Sequence, residues 1–393
     1  MRNVDEATSA GQDAKQRSRG KRIALWIIGI VVALIVIAIV GFNIYTRAAY
    51  STFYSEAQAE FQIPGIHEGF VCQDLDHYEE GDCWFFSGYA ADDGPSPLYR
   101  RAADGSATKF FAQLPDGSSY TDHGSAITTS ADYAFLACEG GYLVFDVADL
   151  ASVAQGEAVR AIDRVDLEIT PAFMNIENGA LFVGTFHLLP NYAAPDHHHL
   201  VTPDGSENAG IMLAYLPATF SSDEELRYGF SNKAAAAYSL PDKVQGMCAL
   251  PDGGIVLSTS YGFAASHLLT YRIDSADIWK SARATSAARE DAQAQSDEQT
   301  GAQATEENTE DASGEPTYTF FVDGQWVALS YLDSTNLVSD VIAPPMTEGI
   351  VFDNGRVYVS EESASNKYLF GKLYGAGEVY SLAAEDLSGT DEH

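Results

Sequence analysis

The sequence predicts an all-β fold, a β-propeller of five blades, carried behind a single N-terminal transmembrane helix. Three observations predict it. A hairpin unit recurs five times, further apolar strands follow each copy, and one long uncharged apolar run stands near the N-terminus. The clearest hairpin is TEGIVFDNGRVYVS, from Thr347 to Ser360. Asn354-Gly355 supplies the positive φ angles of a tight primed turn, and the β-branched and aromatic residues on either side suit a pleated surface.

Taken in order, residues 1–22 read as a short, polar, disordered basic tail. Residues 23–46 are the transmembrane helix: IALWIIGIVVALIVIAIVGFNIYT carries no charge. At about 1.5 Å per residue such a helix is roughly 36 Å long, enough for a hydrocarbon core of about 30 Å. Arg2, Lys15, Arg17, Arg19, Lys21 and Arg22 precede it and only Arg47 closely follows, so the positive-inside rule puts the N-terminus in the cytoplasm. The C-terminal domain is then extracytoplasmic, at the plasma membrane. A cleaved signal peptide is the competing reading, but the apolar run exceeds the usual h-region and no small-x-small site follows at once.

Residues 47–59 read as a juxtamembrane linker, 60–387 as the propeller and 388–393 as a tail. The five hairpins are GFVCQDL to CWFFSGY, HGSAITTSADYAFLACEG, PAFMNIENGALFVGT, VQGMCALPDGGIVLSTSY and the Thr347 unit. Their third strands are SPLYR, GYLVFDV, GIMLAYL, SHLLTYR and GEVYSL, with fourth strands such as TKFFAQL and AAAAYSL. Four short antiparallel strands per repeat, with Pro-Asp-Gly turns at 115, 203 and 251, describe a propeller blade. The last repeat lacks a strand, which the chain around Phe53 to Ile66 would supply to close the ring and remove exposed edges. Six blades are the alternative, if the 317–332 segment TYTFFVDGQWVALSYL belongs to a blade of its own.

Residues 282–316 are Ala, Gln, Glu and Thr without apolar periodicity, so they read as a disordered acidic insertion on the face opposite the site.

The net charge of -34 excludes nucleic acid as a partner, because a polyanion would meet an acidic body without a basic footprint. The membrane, through the single helix, and a surface ligand or protein remain. All four cysteines follow the helix, in a disulfide-permissive compartment. Cys72 and Cys83 lie on the two strands of the first hairpin and are read as a disulfide, contributing roughly 3 kcal/mol. Cys138 and Cys248, in apolar strands, are read as buried free thiols.

Propeller geometry turns the repeat into a site. The innermost strand begins, and the second strand ends, at the same mouth of the central channel. This collects His67, Glu68, His123, Gln245 and Glu348 from the first group and Tyr89, Glu139, His187, Tyr261, Glu361 and Glu362 from the second. A funnel lined by a few polar groups over an apolar body suits a small molecule. Asp196, His197, His198 and His199, with His187, form a candidate metal set, weighed against an exposed polar loop. Asp74, Asp76, Glu79, Glu80 and Asp82 are read as a solvated acidic loop, with calcium as the alternative. Calcium or zinc is thus the candidate cofactor. Neither a GxSxG elbow nor a phosphate-cradling GxxxxGK[ST] loop is present.

Gly69-Phe70-Val71, Gln245-Gly246-Met247 and Glu348-Gly349-Ile350, each leading through a turn to an apolar strand ending in Ser or Thr, resemble blades of the broad propeller assemblage of gluconolactonase-like, NHL-like and YncE-like proteins. The resemblance covers residues 60 to 385 and implies the fold. The gluconolactonase-like enzymes hold a divalent metal in the channel with Glu, Asn and Asp ligands; Glu68 or Glu348 resembles that glutamate, and no Asn or Asp matches. Two functions follow as expectations: binding of a small molecule, glycan or protein at the cell surface, or metal-dependent hydrolase or lactonase chemistry at the channel mouth.

Overall fold

The five hairpins become the two inner strands of five four-stranded antiparallel sheets. In the computed structural model of the chain, the described residues are 2–217, 226–273, 309–310, 316–368 and 377–389. Blade 1 comprises Phe70–Tyr78, Cys83–Ala90, Pro97–Ala102 and Ala107–Gln113. Blade 2 comprises Ile127–Thr129, Tyr133–Cys138, Gly141–Asp146 and Asp163–Asp166. Phe173–Glu177, Ala180–Gly184, Gly210–Tyr215 and Ala236–Leu240 make blade 3. Val244–Ala249, Gly254–Thr259, Ser266–Arg272 and Leu337–Ala343 make blade 4. Blade 5 takes Thr347–Asp353, Arg356–Glu361 and Glu378–Ala383 from the C-terminal part and Gln58–Gln62 from the N-terminal part. The ring is therefore closed by the expected strand, and the innermost strands contact one another in a complete circle.

The turns explain how each hairpin forms. Asn178-Gly179 has φ angles of 50° and 78°, and Asn354-Gly355 of 47° and 81°, as a primed turn requires. In the Pro-Asp-Gly turns the carboxylates of Asp116, Asp204 and Asp252 accept from the backbone N–H two residues on.

Packing explains why the second strands are apolar without a break. Successive side chains point to opposite faces, and in a propeller both faces of a blade meet a neighbour. Thus Phe85 packs toward blade 2 while Trp84 and Phe86 pack toward blade 5. Leu181 and Val183 enter the seam with blade 2; Phe182 enters the seam with blade 4. Five apolar clusters fill the five seams.

Several expectations are corrected. The 317–332 segment makes no sixth blade: Pro316–Val322 and Gln325–Tyr331 form a hairpin that joins the outer edge of blade 3, in parallel with Ala236–Leu240. One side of that hairpin (Phe320, Val322, Val327, Leu329) packs into the seam between blades 2 and 3, and Phe321 and Trp326 on the other side are exposed, so its alternation is that of an edge. The stretch 47–59 is not a free linker, because a short helix, Ser51–Glu56, buries Phe53 between blades 4 and 5 with its ring 5.7 Å from Tyr380. Upstream, one helix runs from Arg2 to Ala49 and draws the expected tail into itself; no proline precedes Pro64 to stop it. Its Lys21–Ala49 part is long and apolar enough to cross a membrane. Residues 282–316 lie outside the described residues except 309–310 and Pro316, and Thr309–Glu310 pairs with the start of the edge hairpin. Residues 390–393 of the tail lie outside them too.

No disulfide joins Cys72 to Cys83; all four cysteines are free and buried. The long hairpin explains it. Cys72 faces Gly88 and Cys83 faces Tyr78, six residues further along the first strand, or roughly 20 Å at about 3.3 Å per residue. A disulfide needs its Cα atoms within about 7 Å.

Candidate ligand-binding funnel

Where inner strands begin and second strands end, a funnel of about 790 Å³ opens on the axis. Its wall draws on every blade, with His123, Gln245, Tyr261, Glu348 and Glu362 among the residues lining it. Tyr89 and Glu139 line it as well. These are residues the strand-end argument collects.

Strand irregularities aim three of the polar groups. The pairing register skips Gln73 in blade 1, Gln245 in blade 4, and Glu348 with Gly349 in blade 5. A bulged residue leaves the ladder and re-aims its side chain, here into the funnel. In blade 1 the bulge stands five residues beyond the sequence expectation: Gln73, not Glu68, occupies the position equivalent to Glu348. His67 and Glu68 are exposed and do not line the funnel; Glu68 Oε2 accepts from Tyr99 Oη at 3.3 Å. Glu361 does not line it either. It neighbours Glu362 on a strand end, so its carboxylate turns the other way, near Tyr54 and Tyr380, and accepts from Ser363 at 3.4 Å.

Below the mouth the blades are stitched together by side chains. Asp74 Oδ2 accepts from the Ile127 N–H at 2.9 Å, and Thr128 Oγ1 donates to Asn175 Oδ1 at 3.4 Å. Asn175 Nδ2 donates to the Met247 carbonyl at 2.9 Å, Ser258 Oγ to the Glu348 carbonyl at 2.5 Å, and Ser360 Oγ to the Gln73 carbonyl at 3.5 Å. These bonds run from blade 1 through 2, 3, 4 and 5 and back to 1. Asp74 and Asp76 thus belong to a buried strand rather than the expected solvated acidic loop, and Asp76 Oδ2 accepts from Thr129 Oγ1 at 2.5 Å. Burial pushes the Asp76 carboxyl up to about 6 and that of Glu177 up to about 8.

At the funnel floor two carboxyls meet. Glu348 is 3% exposed and its Oε1 accepts from Ser260 Oγ at 2.9 Å. Glu362 Oε1 accepts from Tyr89 Oη at 3.0 Å and Tyr368 Oη at 2.8 Å. Burial, then the charge of Glu362, holds the Glu348 carboxyl well above the carboxylate range; burial raises Glu362, against its bonds to Tyr368, Tyr89 and Gln73. Lys367 Nζ donates to Tyr89 Oη at 3.0 Å and lies 4.3 Å from the centre of that ring. On Tyr89 also stacks His123, its centroid 4.3 Å away, with desolvation in this stack moving its imidazole below the usual range. Opposite, Phe186, Tyr192 and Tyr261 make an aromatic wall with centroids 5.3 to 6.4 Å apart. Lys367, Tyr368 and Tyr192 escape the strand-end argument because they stand several residues beyond the strand ends, where only loop paths decide their position; Phe186 is within its reach but is apolar, and only polar ends are collected.

The histidines do not gather round a metal. His187 Nδ1 accepts from the Ala194 N–H at 2.9 Å, His199 Nδ1 lies 2.7 Å from Glu207, and His197 and His198 pack on Phe320. Burial, with its histidine neighbours, pushes His198 down to about 4. Asp196 opens the short 3-10 turn, and the rings meet in pairs, His197 with His198 at 4.4 Å and His187 with His199 at 5.2 Å between centroids. Among the described residues no three His, Cys, Asp or Glu side chains converge at metal-ligand geometry.

No family model and no curated protein matches the chain. Solved structures do. The PQQ-bound aldose sugar dehydrogenase of Streptomyces coelicolor is 12% identical with a TM-score of 0.41, covering 83% of this chain and 98% of that one. A Thermus thermophilus protein bearing the name glucose dehydrogenase gives the same identity and TM-score over 83% and 99%. BamB from Moraxella catarrhalis is 8% identical, with a TM-score of 0.27 over 80% and 86%. The likeness concerns fold alone. With five four-stranded blades closed by its N-terminal strand, the chain has the β-propeller fold.

Proposed function

We propose that this is a membrane-tethered extracytoplasmic propeller whose axial funnel binds a small molecule. The observation that carries the reading is the funnel itself. Small-molecule sites span about 300–1,000 Å³ and combine apolar walls with a few convergent polar groups. This one has about that volume, an aromatic wall and two buried carboxyls, Glu348 and Glu362, that the two inner strands of blade 5 bring together. Tethering rests on the Lys21–Ala49 helix and orientation on the lysines and arginines that precede it. A panel of sugars, amines, lactones and amino acids, screened by thermal shift and confirmed by calorimetry, tests the binding. A saturable ligand lost in Tyr261→Ala supports it; a ligand that survives that change and Glu362→Gln alike refutes the site. Protease added to intact cells should remove the propeller, and protection of the C-terminus would overturn the orientation.

A second reading is hydrolysis at the funnel floor. It is favoured by the paired Glu348 and Glu362 carboxyls, both raised, since one neutral and one ionised carboxyl supply an acid and a base. Turnover of lactones, esters or glycans that Glu348→Gln abolishes would establish it.

A further inference from the structure

We infer that the funnel's ligand carries a primary ammonium group, which docks between Glu348 and Glu362 against the aromatic wall. The inference rests on the small-molecule reading above and names its chemical class. Three observations carry it.

The first is a buried carboxyl at the funnel wall. Glu348 is 3% exposed and lines the funnel, and Ser260 Oγ donates to its Oε1 at 2.9 Å. A carboxyl has acceptor capacity beyond one such bond, which a ligand donor in the funnel can use.

The second is the balance of ionisable groups. Among the described residues four acids, Asp122, Glu139, Glu348 and Glu362, line the funnel against one lysine, Lys367. That lysine is exposed and donates to Tyr89, and its charge acts on Glu362.

The third is the company the carboxyls keep. Ser260, which bonds Glu348, is followed at once by Tyr261 of the aromatic wall, and Tyr89 and Tyr368 flank Glu362. The Lys367 ammonium already lies over the Tyr89 ring at 4.3 Å, and a cation gains from an aromatic face at such a distance. An ammonium with three donors suits the Glu348 and Glu362 carboxyls together, whereas a bare divalent ion lacks a third converging ligand among the described residues.

Calorimetry on the full chain in detergent tests this with 1,4-diaminobutane, its neutral counterpart 1,4-butanediol, and calcium chloride. Saturable binding of the diamine alone is expected, weakened at least tenfold by Glu348→Gln and unaffected by Glu80→Gln, the same substitution in the exposed turn at the far end of blade 1. Glu348→Gln matches the shape of a neutral carboxyl, and an unchanged melting transition confirms that it folds. Binding of the diol as strongly as the diamine, saturation by calcium, or equal weakening by both variants would each overturn the ammonium proposal. Absence of diamine binding does so as well; the small-molecule reading itself falls only if the wider panel also yields no ligand dependent on the funnel.

Discussion

Replacing Glu177 by glutamine should remove much of the protein's loss of stability between pH 5 and pH 8.5. Glu177 closes the inner strand of blade 3 and is 8% exposed. Its Oε1 accepts from Asn175 Nδ2 at 3.1 Å, and the Ala249 N–H of blade 4 also donates to its carboxyl. Burial outweighs that N–H bond, the Asp76 charge adds to it, and the carboxyl is pushed up from 4.5 to about 8. The folded state therefore holds the proton more tightly than the unfolded chain. This contribution is fully present below pH 4.5, shrinks as pH rises from there, and is gone above about pH 8. At about 1.4 kcal/mol per pH unit the whole shift is worth about 5 kcal/mol as a ceiling, or roughly 10 °C in melting temperature for a domain of this size. Glutamine is neutral throughout and offers the donor and acceptors of a protonated carboxyl. Thermal unfolding of wild type and Glu177→Gln across this pH range should show curves that meet near pH 5 and separate toward 8.5, with the variant the more stable. A residual slope in the variant would belong to Asp76, whose carboxyl is raised to about 6, and to Asp74 and Glu348, raised by burial. Parallel pH profiles for the two proteins would refute the reasoning.

Two further outcomes test the channel wall and the thiols. Gly349→Ala places a Cβ 1.8 Å from Asp74 Oδ1 and 2.6 Å from the Asp74 Cα, so blades 1 and 5 must separate; a loss of roughly 2–3 kcal/mol is expected in denaturant titrations, and an unshifted midpoint would show that the strands do not approach so closely. The denatured, unreduced chain should titrate four free thiols, and a count of two would restore a disulfide.

How far the sequence reaches can be argued from particular residues. Asn354-Gly355 and Asn178-Gly179 fix local geometry by themselves, so those hairpins were legible, as were the uniformly apolar second strands, whose two faces are both buried. Strand order then set the mouth, and His123, Gln245, Tyr261, Glu348 and Glu362 came with it. Register was not legible. A bulge adds one residue without a compositional mark, so Gly-Phe-Val at 69 looked equivalent to Glu-Gly-Ile at 348 while the pairing puts Gln73 there. The Cys72 and Cys83 pairing failed for the same reason, since proximity in sequence across a long hairpin says nothing about which residues face each other. The buried polar ring was the deepest omission. Asp74 and Asp76 in a stretch with Glu79, Glu80 and Asp82 have the composition of a solvated loop, and the neighbouring blade, through the Ile127 N–H and Thr129 Oγ1, supplies donors that a reading of this strand alone does not contain. Residues that one blade cannot satisfy alone are therefore the part of a propeller that a blade-by-blade reading misses, and in this chain they form both the seam between blades and the floor of the funnel.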